Sequence, residues 1–227
     1  MPAKTTTATL SAPTNVYRHC GRLCLYGPPG TGKTAFGQWL ARQLDAPLHV
    51  RRASDLLGMY VGETEQNIAR AFREAESDQA LLLIDEADSF LQDCRRAMHS
   101  WEVSGVNEML TQMEGYNGVF IASTNLLDSL DQASLRRFDL KIHFGYLRPA
   151  QAWPLFVSQC RALGLPRPPA KLKSALAAIT TLTPGDFAAV TRRHKFQPLA
   201  GPAGLLSALQ RECRLKNEGG SKGIGFV

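Results

Sequence analysis

Eight consecutive residues, Gly27-Pro28-Pro29-Gly30-Thr31-Gly32-Lys33-Thr34, set three glycines, a lysine and a hydroxyl in the spacing GxxxxGK[ST]. Each residue type has a task in holding a polyphosphate. The glycines let successive backbone N–H groups turn inward around phosphate oxygens. A helix starting at Lys33 would add the partial positive charge of its N-terminus. The Lys33 ammonium would neutralise β- and γ-phosphates, and the Thr34 hydroxyl would ligate Mg²⁺. At average residue usage such a match arises by chance in on the order of one chain in a hundred of this length. Here an apolar run, Arg22–Tyr26, precedes the motif and a helical pattern follows it. That strand–loop–helix order is the one the chemistry demands. A glycine-rich turn without a ligand is the plain alternative, and this context disfavours it.

A second group stands at the end of the apolar run Leu81-Leu82-Leu83-Ile84, where Asp85 and Glu86 follow directly. Two carboxylates at the carboxyl end of a strand lie where α/β sheets bind ligands. Asp85 would complete the Mg²⁺ shell, and Glu86 would orient and polarise an attacking water. Alone, an acidic pair after a strand is usually a helix cap. Placed 52 residues after Lys33, on the next clear strand, it reads as catalytic. A third run, Ile121-Ala122-Ser123-Thr124, ends in Asn125, which could hydrogen-bond a γ-phosphate or the attacking water. An isolated Asn there would more often be a turn residue.

These residues need a scaffold that brings strand ends together. Runs 22–26, 80–84 and 119–123 read as buried strands, 47–51 as a weaker one and 140–144 as a sheet-edge strand. Helical patterns lie between them over 33–44, 64–76 and 102–113. Ile68, Phe72 and Ala75 share one face, as do Val106, Met109, Leu110 and Met113. Strands alternating with helices predict a parallel sheet covered on both faces. After Arg148-Pro149 the strand signals stop. Helices are expected over 150–163, 170–179 and 203–214, with another capped by Thr183, opened by Pro184 and carrying Asp186 in its first turn. The expected organisation is a disordered leader (1–20), an α/β part (21–147), a small all-helical part (148–215) and a flexible tail (216–227).

Composition narrows the class. The chain has 227 residues, 44% hydrophobic and 20% charged, as in an ordinary soluble globular protein. No apolar run approaches the roughly 18 residues of a membrane span. The Thr-rich N-terminus lacks the apolar core of a secretory signal. Lys4 and Arg18 alone are too few basic residues to favour a transit peptide. Cys20, Cys24, Cys94, Cys160 and Cys213 include no CxxC pair, so neither a disulfide framework nor a zinc site is indicated, and a reducing cytoplasm is the natural setting. The net charge is +6. From Thr191 onward seven Lys or Arg face two Asp or Glu, so the excess sits in the tail. Such a cluster could touch nucleic acid but is more often a solvated surface.

GPPGTGKT, LLLIDEAD and VFIASTN followed by LRRFD, in this order and spacing, resemble an AAA ATPase of the extended AAA+ group. The resemblance runs from Gly21 to about Val190. Its most specific part is Gly118–Asp139, which looks like the second region of homology. The resemblance implies a large P-loop α/β subdomain followed by a helical lid, with ATP and Mg²⁺ as cofactors. It implies that Asn125 is sensor 1, and that Arg136 or Arg137 reaches the ATP of a neighbouring subunit. Met59-Tyr60-Val61-Gly62-Glu63 resembles the first pore loop, in which Tyr60 would grip a polypeptide. Gly185-Asp186 matches the start of the lid helix, near the nucleotide base. Plainer readings stand beside these. The arginines could form a solvated loop, Tyr60 could anchor its loop, and Gly185 and Asp186 could simply start a helix.

The sequence also departs from the family pattern. About 20 mostly polar residues precede Gly21, where the family usually carries a segment that cups adenine. Either the chain is a piece of a longer protein or the base is held differently. LRRFD is shorter than the usual LRPGRFD, so the finger is Arg136 or Arg137. No arginine follows the lid-start glycine directly as a sensor 2, since Arg192 and Arg193 lie about two turns further on. The expectation is an ATPase that assembles with ATP as a homo-oligomer, a hexamer, and unfolds or remodels a protein substrate. A nucleic-acid motor or loader and a nucleotide-gated scaffold with little turnover are the alternatives.

Overall fold

The computed structural model describes residues 20–91, 100–125 and 132–219. The expected leader and the end of the expected tail lie outside these residues. Five strands form one sheet: β1 (Gly21–Tyr26), β2 (Leu48–Arg52), β3 (Leu81–Asp85), β4 (Val119–Thr124) and β5 (Leu140–His143). Their spatial order is β2-β3-β4-β1-β5, and every pairing is parallel. β1 is thus an interior strand, with Leu23 opposite Ile121 of β4 and Leu140 of β5.

The period-two alternation of a strand explains why β3 and β4 are continuously apolar. Leu82, Ile84, Phe120 and Ala122 enter one core, built against α3 (Glu63–Ser77) and α5 (Ser100–Gly115). Leu81, Leu83, Val119 and Ile121 enter the opposite one, which meets α1 (Lys33–Gln43). In α3, Ile68, Ala71, Phe72 and Ala75 are buried, the face its spacing predicts. Phe72 stacks on Phe120 and meets Tyr116 edge-on. The Tyr116 hydroxyl donates to the Ala80 carbonyl, and burial pushes its pKa up to about 12.

Short helices α2 (Ala53–Leu56), α4 (Asp88–Leu91) and α6 (Gln132–Leu135) sit in connections that carry no helical period. The remaining helices, α7 (Pro149–Ala162), α8 (Leu172–Ala177), α9 (Pro184–His194) and α10 (Pro202–Gly219), pack around a third core. Phe156, Leu176, Phe187, Leu205 and Leu209 lie at its centre. α8 is shorter than the expected 170–179 because Ile179-Thr180-Thr181 are β-branched and poor helix formers. α10 instead continues to Gly219, past the point where the sequence suggests a loose end.

Candidate functional site

The phosphate-type loop joins β1 to α1 and rises beside the ends of β4 and β5. Gly27 has a φ of 135°, and a Cβ there would lie 2.1 Å from the Phe144 carbonyl oxygen, so no side chain fits. The Thr31 hydroxyl donates to the Pro28 carbonyl at 2.8 Å and closes the turn. Gly32, also at positive φ, leads into α1. Lys33 is only 6% exposed. Its ammonium donates to the Gly27 carbonyl at 2.7 Å, the Pro28 carbonyl at 3.1 Å and the Asn125 Oδ1 at 2.7 Å. All three acceptors are neutral, and burial lowers the Lys33 pKa, with Asp85 and Asp88 opposing that shift. A buried cation satisfied by dipoles alone suits an incoming polyphosphate that brings its own negative charge.

The two candidate Mg²⁺ ligands meet. Thr34 Oγ1 donates to Asp85 Oδ2 at 2.8 Å, although the residues are 51 apart in sequence. The other carboxylate oxygen of Asp85 accepts from the Ser123 hydroxyl and from the Glu86 N–H at 3.1 Å. The donor set is a hydroxyl and a carboxylate, the oxygen chemistry a hard cation takes. Glu86 is exposed and stands at a φ of 57°, in the left-handed region. Asn125 follows β4, between β3 and β1 in the sheet, which places its amide over Lys33.

Two further polar partners escape sequence reasoning. Ser123 is fully buried and holds Asp85, while Thr124 donates to Asp88. The one sequence signal was a pair of hydroxyl residues closing an otherwise apolar strand.

The LRRFD segment is anchored by its apolar members. Phe138 is buried against Phe120, and Leu135 packs on the same core. Asp139 accepts the Arg22 N–H at 2.8 Å. Arg136 and Arg137 are left exposed, and neither bonds to Lys33, Asp85 or Asn125. Arg137 forms an ion pair with Glu114 at 2.7 Å. The Arg136 side chain has no ion pair or hydrogen bond with another described residue. Of the arginines in α9, Arg193 pairs with Glu212 of α10, away from the loop.

The start of α9 and the Met59–Glu63 turn, both singled out by the family resemblance, are resolved in detail. The Gly185 N–H in the first turn of α9 donates to the Gly30 carbonyl at 2.8 Å, and a Cβ on Gly185 would lie 2.8 Å from Gly30 Cα. Met59, Tyr60 and Val61 are 94%, 78% and 93% exposed. Their turn is nevertheless well braced. The Glu63 carboxylate accepts the Met59 N–H at 2.7 Å and the Tyr60 N–H at 3.2 Å, and Thr64 Oγ1 accepts the Gly58 N–H at 2.9 Å.

A parallel sheet with a glycine-rich loop after the interior strand β1 and an acid at the end of β3 defines a P-loop nucleotide hydrolase. The model of the ATPase family associated with various cellular activities (AAA) matches residues 23–146, more than half of the chain, and the chain belongs to that family. It is an ATPase whose cofactors are ATP and Mg²⁺. It is 38% identical over 131 residues, 53% of the chain, to the ATP-dependent zinc metalloprotease FtsH of Lachnoclostridium phytofermentans. It is 35% identical over 147 residues, 56% of the chain, to the vesicular-fusion protein SEC18 of Candida albicans. Over 128 residues, 53% of the chain, it is 33% identical to the human ATP-dependent zinc metalloprotease YME1L1. The matched regions span 23%, 18% and 17% of these relatives. A chain of the solved E. coli MS115-1 HORMA:CdnC:Trip13 complex superposes with a TM-score of 0.67 at 23% identity, covering 84% of this chain and 73% of that one, and shares the fold.

Proposed function

We propose that the chain is the motor module of a ring, a hexamer in its ATP-bound state, that couples ATP hydrolysis to the unfolding or remodelling of a protein. The observation that carries this reading is the Met59-Tyr60-Val61 tip. Three large side chains stand almost wholly in solvent on a turn braced by Glu63, bonding none of the nucleotide-site residues. A braced, exposed aromatic tip can press on any extended chain while the tyrosine hydroxyl stays wet. Among the relatives, the names of the ATP-dependent metalloproteases support ATP-driven work on proteins.

In the reaction, the loop N–H groups and Lys33 hold the phosphates, and Asn125, now bonded to Lys33, turns to the γ-phosphate side. Thr34 and Asp85 would hold Mg²⁺, which would neutralise charge on the phosphate oxygens when bound. Glu86 orients the attacking water and accepts its proton. Arg136 is the arginine assigned to a neighbour's γ-phosphate, since among the described residues its side chain has no charged partner whereas Arg137 pairs with Glu114. Gly185 sets the lid helix beside the nucleotide.

The nucleic-acid reading rests on the basic C-terminal region. Within it Arg193 and Lys216 are already paired with Glu212 and Asp186, which weakens that case. Light-scattering mass with and without ATP and Mg²⁺ tests the assembly, and a photocrosslinker at position 60 tests the grip. A mass that stays that of one chain under ATP, at concentrations where turnover is seen, counts against the ring. Capture of DNA with steep salt dependence, in place of polypeptide, would favour the alternative.

A further inference from the structure

The lid subdomain touches the phosphate loop through the backbone bond from Gly185 N–H to Gly30 C=O at 2.8 Å. A peptide unit is planar and trans, so its carbonyl and the following N–H point opposite ways. Holding the Gly30 carbonyl toward α9 therefore turns the Thr31 N–H away from the lid. Thr31 N–H belongs to the loop whose backbone N–H groups would cradle phosphate. The orientation of a phosphate donor is thus set by where α9 begins.

The start of α9 is fixed by a buried carboxylate. Asp186 is 3% exposed. It accepts the Thr183 N–H at 2.8 Å and the Thr183 hydroxyl at 2.9 Å, the reach-back half of a capping box. The buried Cys213 thiol of α10 donates to Oδ2 at 3.8 Å, and the one described cation bonded to the carboxylate comes from the far end of the lid. Lys216 on α10 sits 2.6 Å from Asp186 Oδ1 and 2.7 Å from Oδ2, and it also donates to Thr183 Oγ1 at 3.1 Å. A carboxylate taken out of water needs such a cation, and no other described cation is bonded to it. Thr183 is itself fully buried, with its Oγ1 3.1 Å from where a Cβ on Gly30 would stand. The contacts run without a break from α10 through Lys216, Asp186 and Thr183 to Gly30.

We infer that Lys216 is a positioning residue for nucleotide binding: by clamping the Asp186 cap it holds α9 against Gly30 and keeps the Thr31 N–H presented to phosphate. The inference rests on Gly27–Thr34 being the nucleotide site. Linkage makes the effect reciprocal, so nucleotide in the loop also tightens the lid clamp.

Lys216→Met alone strands a buried charge and can unfold the lid, so the test uses Asp186→Asn/Lys216→Met, which keeps the volume and removes both charges. Binding of a fluorescent ADP is titrated in the full chain, alongside Lys216→Arg and Lys33→Ala, with thermal melts to verify folding. The double variant is expected to bind ADP about fivefold or more weakly per folded molecule, the lower end of ordinary coupling strengths, and Lys216→Arg to stay within about twofold of wild type. A folded double variant with wild-type ADP affinity overturns the clamp. If Lys33→Ala still loses binding in that case, the nucleotide site stands and the clamp alone falls. Should the double variant not fold, amide hydrogen exchange of the wild-type chain decides. The clamp requires ADP to slow exchange in the first turn of α9 and around Lys216 together with the loop. Protection confined to the loop rejects it.

Discussion

Glu86 combines its proposed catalytic task with a backbone conformation that disfavours any side chain. Its φ of 57° is held from both sides: its own N–H donates to Asp85 Oδ1 at 3.1 Å, and the next N–H, of Ala87, donates to the Ser123 carbonyl at 2.9 Å. The side chain is exposed and bonds to no other described residue, so removing it loses no packing. A Cβ in the left-handed region costs roughly 1–2 kcal/mol. Glycine removes that cost but loosens the unfolded chain, which returns about 0.4–1 kcal/mol. Glu86→Gly should therefore stabilise the nucleotide-free protein by about 0.5–1 kcal/mol, or ~1–4 °C in melting temperature for a chain of this size. Glu86→Ala keeps the Cβ and should change stability by less than about 0.5 kcal/mol. Both should abolish turnover. Urea unfolding of the three proteins without nucleotide measures the difference. A glycine variant no more stable than the alanine variant would refute the reading of Glu86 as strained for function.

Three other outcomes follow from the same geometry. Burial holds the Lys33 pKa below its ordinary 10.5, and bound phosphates would raise it again; ADP binding should take up a proton at alkaline pH, between the lowered free-state pKa and the raised bound-state one, and weaken as pH rises through that window. Calorimetry in two buffers of different ionisation enthalpy reads the uptake, which should vanish with most of the affinity in Lys33→Ala. Arg136→Ala should lower turnover by about three orders of magnitude, whereas Arg137→Ala loses an exposed ion pair worth ~1 kcal/mol at most. Mixing Arg136→Ala with Lys33→Ala subunits should restore some activity through an intact composite site, and no rescue in rings shown to mix would remove Arg136 from the trans role. Tyr60→Ala should leave stability within about 0.5 kcal/mol, as for an exposed side chain, and basal turnover within about twofold, while abolishing substrate-coupled work. A drop of several degrees in its melting temperature would make Tyr60 a structural anchor.

The parts legible in the sequence are those whose chemistry is confined to a short window. Gly27–Thr34, and Asp85 behind four apolar residues, declare themselves by residue type and spacing. The buried runs of β3 and β4 show the sheet because both their faces meet helices. What stayed hidden depends on residues far apart. Ser123 gripping Asp85, and Lys216 reaching Asp186, are made by packing and leave no local pattern. The ion pair that distinguishes Arg137 from Arg136 is made by Glu114, a residue of a different helix. Residues 170–179 show the opposite error, in which helical periodicity outweighed the β-branched run that ends α8 early.

The central claim is that the loop, Asp85 and Glu86 form a working ATP-hydrolysing site completed by a neighbouring subunit. Steady-state phosphate release with ATP and Mg²⁺, followed across a range of protein concentration for wild type and Glu86→Gln, tests it most directly. Wild-type turnover per subunit should rise with concentration as composite sites form, while Glu86→Gln binds ATP and releases no phosphate above background. Release by Glu86→Gln at the wild-type rate would contradict the account.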